Sequence, residues 1–177
     1  MAASTSTERI ALGLTALVTA GALLASVASA DAPPRAGAPA PAFSLPVVAN
    51  GHGTVSLASL KGRNVYLNFF ASWCEPCKAE APSIAALSKQ YAPHNVVVVG
   101  IDELEQAEAA KNFATRYHLP YSIALDTSGD VGGSYGLLGL PLHVFISPDG
   151  TVAAYRVGEM SPAQIKTELQ TLSASHH

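Results

Sequence analysis

Cysteine is almost missing from this chain. Of 177 residues only Cys74 and Cys77 carry a thiol. A closed zinc site needs two further ligands at suitable spacing. No third cysteine exists, and none of the six histidines forms an H-x3-5-H pair beside the motif. A purely structural bridge across so short a loop would remove little chain entropy. Charge is scarce too: 13% of residues are ionic and the formal net charge is −3, which argues against nucleic acid as a partner. There is one tryptophan, Trp73, directly before the first cysteine. Internal repeats are absent, and the one biased tract is a short proline- and alanine-rich run near the N-terminus.

What the chain does have is a redox-competent setting for its two thiols. The apolar run Asn64-Val65-Tyr66-Leu67-Asn68-Phe69-Phe70-Ala71 reads as a buried strand, and Lys78 to Gln90 reads as a helix. Trp73-Cys74-Glu75-Pro76-Cys77 falls at the corner between them. The unpaired N–H groups of a helix N-terminus carry partial positive charge, which stabilises a thiolate, the form that attacks disulfides. Pro76 is tolerated in a first helical turn, where its missing N–H costs little. Two intervening residues keep Cys77 close enough to resolve a mixed disulfide formed at Cys74.

Around this motif the stretch from Ala42 to Leu172 resembles the thioredoxin superfamily. Within it, the resemblance is to the extracytoplasmic thiol-disulfide oxidoreductases (TlpA- and ResA-like), a group that includes reductases serving cytochrome c maturation. The residues that carry it are Asn68 through Pro82, Leu125-Asp126, Gly139-Leu140-Pro141 and Phe145 through Gly150. The resemblance implies an α/β fold: a thioredoxin-like central mixed β-sheet flanked by helices, here with an N-terminal β-hairpin extension from Phe43-Ser44-Leu45 and Thr54-Val55-Ser56-Leu57. It implies disulfide-containing client proteins, a membrane dithiol as electron donor and no bound cofactor.

Three segments are expected. Residues 1–30 read as a signal peptide or an N-terminal membrane anchor: Arg9 precedes an apolar stretch, Ile10 to Ala30, that ends Ala28-Ser29-Ala30. Cleavage and retention both stay open. Residues 31–41, with Pro33, Pro34, Pro39 and Pro41, read as an extended, poorly ordered linker. Residues 42–175 make the thioredoxin-like domain. The place of work is then extracytoplasmic, in the periplasm or on the outer membrane face, where disulfides persist.

Other residues fall into roles by departure or by resemblance. Asn68 stands where cytoplasmic thioredoxins carry a buried aspartate, and an amide cannot titrate. Glu80, three residues after Cys77, is on roughly the same helical face, and the resembling reductases assign a glutamate there an acid/base role. Glu75 places a negative charge between the sulfurs, which opposes thiolate formation and favours a reductant. Trp73 reads as a wall of the site. Pro82 should kink the helix after Cys77, which then runs on through Ile84, Leu87 and Tyr91. Leu140-Pro141 is expected to be cis, with Leu140 offering backbone to a bound client strand. His143 reads as a core or surface histidine. The helix after the second long apolar run, Asn95 to Asp102, is expected over Leu104 to Tyr117, and a last helix is capped by Ser161 with Pro162 at its first position.

The catalytic set is therefore Cys74, Cys77 and Glu80. Trp73, Glu75, Pro76, Leu140 and Pro141 contact the client, and no metal ligand is assigned. Two other readings share parts of this pattern. One is a Cu(I)-carrying module using Cys74, Cys77 and His143. The other is a peroxiredoxin-like antioxidant protein, for which the Thr-x-x-Cys arrangement is absent.

Overall fold

The structure, a computed structural model, describes Met1 and residues 33–174. The expected signal or anchor segment lies outside the described residues. Among those described, no helix is long and apolar enough to cross a membrane.

Seven strands form one mixed sheet among the described residues: β1 Ser44–Ala49, β2 Thr54–Ser56, β3 Asn64–Phe70, β4 Val96–Glu103, β5 Ser122–Asp126, β6 Leu142–Ile146 and β7 Val152–Val157. Their spatial order is β2-β1-β5-β4-β3-β6-β7. The apolar runs form its centre. β3 pairs in parallel with β4, and β4 with β5, while β6 runs antiparallel to β3. Every residue of β3 is buried, as befits a strand covered on both faces. Among the described residues four α-helices accompany the sheet: α1 Glu75–Tyr91, α2 Ala107–Arg116, α3 Asp130–Ser134 and α4 Pro162–Ala174. Two apolar clusters form the core. One gathers Ile84, Phe113, Ile123, Phe145 and Leu169, and the other Phe69, Ile101, Tyr135, Leu142 and Val144.

The expected N-terminal hairpin is present, and β1 also pairs antiparallel with β5, so the hairpin joins the sheet on that side. The fold departs from expectation in two places. The helix expected from Leu104 begins only at Ala107, because Leu104 takes a left-handed φ of 58° and Gln106 is extended. The end of the expected linker is fixed in place. Gly37 N–H donates to the Val152 carbonyl, Val152 N–H to Ala38, and Ala40 N–H to Gly150, at 2.8 to 2.9 Å. An extended run keeps its backbone groups free, and the start of the edge strand β7 offers partners for them. α1 continues from Glu75 to Tyr91 with Pro82 inside it. Ser161 caps α4 as expected: Gln164 N–H donates to its hydroxyl, and its own N–H donates back to the Gln164 side chain.

Candidate active site

β3 ends at Phe70, and a four-residue turn, Ala71 to Cys74, delivers the chain to α1. Cys74 is the N-cap of that helix, and its sulfur accepts the Cys77 N–H at 3.2 Å. The helix therefore starts three residues earlier than its strong formers do, with Glu75 and Pro76 in its first turn. Cys74 and Cys77 are joined as a disulfide, and each is only 4% exposed. The first sulfur is the one the helix N-terminus solvates, which lowers the cost of a thiolate at Cys74.

The flanking residues divide sharply. Trp73 is 66% exposed, so it is no core tryptophan and stands open beside the sulfurs. Glu75 is exposed and pairs with Lys78 at 2.6 Å. That contact offsets much of the negative charge expected to oppose the thiolate. Antiparallel pairing of Phe69 with Leu142 brings the start of β6 alongside the end of β3. Leu140 and Pro141 accordingly sit beside the cysteine turn, their peptide bond is cis, and Leu140 packs against the cluster containing both sulfurs.

Behind the disulfide lies a buried polar network. Glu80 is 3% exposed. Its Oε1 accepts the Met160 N–H and lies 3.5 Å from His143 Nε2, while its Oε2 has no hydrogen-bond partner. His143 is wholly buried on β6, opposite Asn68 on β3. Its Nδ1 lies 2.8 Å from the Tyr66 hydroxyl and 3.4 Å from Asn68 Nδ2, and its Nε2 lies 3.2 Å from the Gly158 carbonyl. Both ring nitrogens are thus engaged, and copper binding would have to break those contacts. Burial, then Tyr121 and Glu80, push the Tyr66 phenol well up, and burial followed by Glu80 raises Tyr121, so both stay neutral.

A second group of polar side chains holds the cysteine turn from the other side. Glu105 accepts the Ser72 N–H and hydroxyl. Next to it, at the end of β4, Asp102 and Glu103 are buried, and burial is the main cause that lifts each carboxyl to about 8. Sequence reasoning found Cys74, Cys77, Glu80 and the proline pair. It missed the Tyr66–His143–Glu80 chain and Glu105. Strand alternation puts Tyr66 and Asn68 on one face, and two acids closing an apolar run, Asp102-Glu103, were the available signal for the second group.

Comparison with known proteins agrees with this geometry. Residues 35–171 match the redoxin family. The thiol-disulfide oxidoreductase ResA of Bacillus thuringiensis (strain Al Hakam) is 34% identical over 119 residues, 67% of this chain and 69% of that protein.

The chain belongs to the redoxin family.

Among solved structures, a thioredoxin-family thiol:disulfide interchange protein from Chlorobium tepidum superposes with a TM-score of 0.69 at 31% identity, covering 80% of this chain and 99% of that one. A secreted Mycobacterium tuberculosis disulfide oxidoreductase homologous to E. coli DsbE gives 0.67 at 26% identity, covering 73% and 96%. The protein is a thiol-disulfide oxidoreductase of thioredoxin-like fold, acting on disulfide-containing clients. The Cys74–Cys77 disulfide at the start of α1 is consistent with this exchange chemistry.

Proposed function

We propose that the protein reduces disulfides in client proteins outside the cytoplasm, through Cys74 and Cys77. The observation that carries the reading is the disulfide at the N-terminus of α1, with a buried carboxylate oxygen of Glu80, free of any partner, one helical turn beyond Cys77. In the reduced protein the Cys74 thiolate attacks one sulfur of a client disulfide. A Cys74–client mixed disulfide forms and the other client sulfur leaves as a thiolate. Cys77 then gives its proton to Glu80 and attacks the Cys74 sulfur. The Cys74–Cys77 bond forms, the second client thiol is released, and two electrons have passed to the client. Glu80 serves as general base because Asn68 cannot titrate. Trp73, Glu75, Pro76 and Pro141 form the rim that meets the client, and Leu140 presents its backbone to the client strand.

A membrane dithiol donor re-reduces the pair. The N-terminal segment, cleaved or retained, exports the chain, a reading supported by its apolar stretch and by the secreted mycobacterial relative. Resemblance to the cytochrome c maturation reductases points to paired cysteines of apocytochrome c or of copper sites as clients. A redox titration of the Cys74/Cys77 couple against glutathione tests the direction. A potential below about −200 mV is expected, and one near about −120 mV, the range of strong oxidases, would overturn the reductase assignment.

A further inference from the structure

We propose that His143 is the positioning residue for Glu80, holding its carboxylate ready to receive the Cys77 proton. This rests on the general-base reading of Glu80 and adds the group that makes a buried base workable. A carboxylate taken out of water is costly unless donors compensate it. Glu80 has two candidate donors at one oxygen, the Met160 N–H and His143 Nε2, and none at the other. The partners of the imidazole fix which nitrogen carries the proton. Gly158 offers Nε2 only a carbonyl, so Nε2 is protonated. In the neutral ring Nδ1 then accepts, and the Tyr66 hydroxyl at 2.8 Å is its donor. Tyr66 and His143 sit on neighbouring strands, so the ring is held from behind by β3 while it faces α1. The Nε2–H is thus engaged by the Gly158 carbonyl at 3.2 Å, with Glu80 Oε1 3.5 Å from the same nitrogen. With Oε1 occupied, the incoming proton is left to Oε2.

The titratable groups around Glu80 are few: Tyr66 from β3, Tyr121 from the segment before β5, His143 from β6 and Cys77 from its own helix. Both phenols are held neutral by burial, so His143 is the donor group in the set. It does not touch the reacting sulfurs. Its effect passes through Glu80, and the pH dependence of the resolving step is where it must show.

The test compares two amides. In His143→Gln the side-chain amide reaches the Nε2 position, while in His143→Asn it reaches only Nδ1. The reduced full-length chain is mixed with oxidised glutathione, and resolution of the Cys74–glutathione disulfide by Cys77 is followed through Trp73 fluorescence across the pH range. His143→Asn should slow resolution about tenfold near neutrality, as the polar group 3.5 Å from the carboxylate is withdrawn, and His143→Gln should restore most of it. The double variant Glu80→Gln/His143→Asn should be no slower than Glu80→Gln alone. If the two amides behave alike, or if the double variant is additive, His143 does not act through Glu80, and the Glu80 reading survives. If Glu80→Gln leaves the pH profile unchanged, the Glu80 reading itself falls and this proposal falls with it. One measurement needs no variant: nitrogen-labelled histidine in the wild-type chain must show a His143 ring protonated at Nε2. A neutral ring protonated at Nδ1 would overturn the assignment.

Discussion

Glu105 ties down the turn in front of Cys74: its carboxylate accepts the Ser72 N–H at 2.5 Å and the Ser72 hydroxyl at 2.7 Å. The position of Trp73 and Cys74 therefore depends on a residue from the loop after β4, far away in sequence. Glu105→Ala leaves a partly buried N–H without its acceptor, a loss of about 1–3 kcal/mol for a bond to a charged group. A lower melting temperature is expected, together with slower insulin reduction, because the N-cap geometry at Cys74 loosens. A variant that melts and turns over like wild type would show that the turn is held by the helix alone.

Asp102 and Glu103 should make the fold less stable as pH rises. Burial first, then the neighbouring Glu105 for Asp102 and Asp126 for Glu103, lift these carboxyls from ordinary values of 3.8 and 4.5 to about 8. Between those ranges the folded chain keeps protons that the unfolded chain has released. The stability that these two protons confer is complete at low pH and drains away as pH rises through about 8. Asp102→Asn removes one of the two groups and should flatten the decline, raising the melting temperature at alkaline pH while changing little in acid. In a chain of this size each kcal/mol moves the midpoint by about 2–4 °C, so melting curves across pH will resolve it. A wild-type midpoint that climbs from mild acid to pH 8 would contradict the assignment.

Much of the site was legible because local chemistry dictates it. A buried run followed by Cys74-Glu75-Pro76-Cys77 places thiols at a helix start whatever surrounds them, whereas the cis bond at Leu140-Pro141 was legible only through the family resemblance, since few X–Pro bonds are cis. Helical spacing puts Glu80 on the face of Cys77, and the resemblance supplied the role expected of it. His143 was legible as a residue but not as a partner. Its link to Glu80 requires β6 to lie antiparallel beside β3 and α1 to pack over them, which is a fact of topology. The same holds for Glu105, whose partner Ser72 lies on a different turn. Pro39 and its neighbours read as loose chain because composition says nothing about an edge strand waiting at Thr151 and Val152.

The order of attack by the two cysteines is open to direct trapping. Cys74 caps the helix and its sulfur receives a backbone N–H, so Cys74 is the thiol with the stabilised thiolate. Cys77→Ser should accumulate a covalent client adduct at Cys74 that dithiothreitol releases, since nothing remains to resolve it. Cys74→Ser should neither turn over nor trap. Mass spectrometry of the two variants after exposure to a disulfide client reads the outcome. Adducts appearing only in the Cys74→Ser chain would reverse the roles.

Glu75 was the residue whose charge pointed to a reductant, and its pairing with Lys78 limits that effect. The pair is solvent-exposed on the glutamate side, with Glu75 at 80% and Lys78 at 31% side-chain exposure. Exposed pairs are worth little because water and salt screen them. A charge already half-neutralised by an ammonium 2.6 Å away acts weakly on a sulfur that the helix N-terminus also stabilises. Glu75→Gln should therefore raise the reduction potential of the couple by no more than about 20 mV, since 30 mV corresponds to 1.4 kcal/mol for two electrons. Lys78→Ala, which unmasks the carboxylate, should lower the potential by a similar amount. A larger change on Glu75→Gln, measured against glutathione at low and at high salt, would mean that this carboxylate and not the buried network sets the reducing character of the pair.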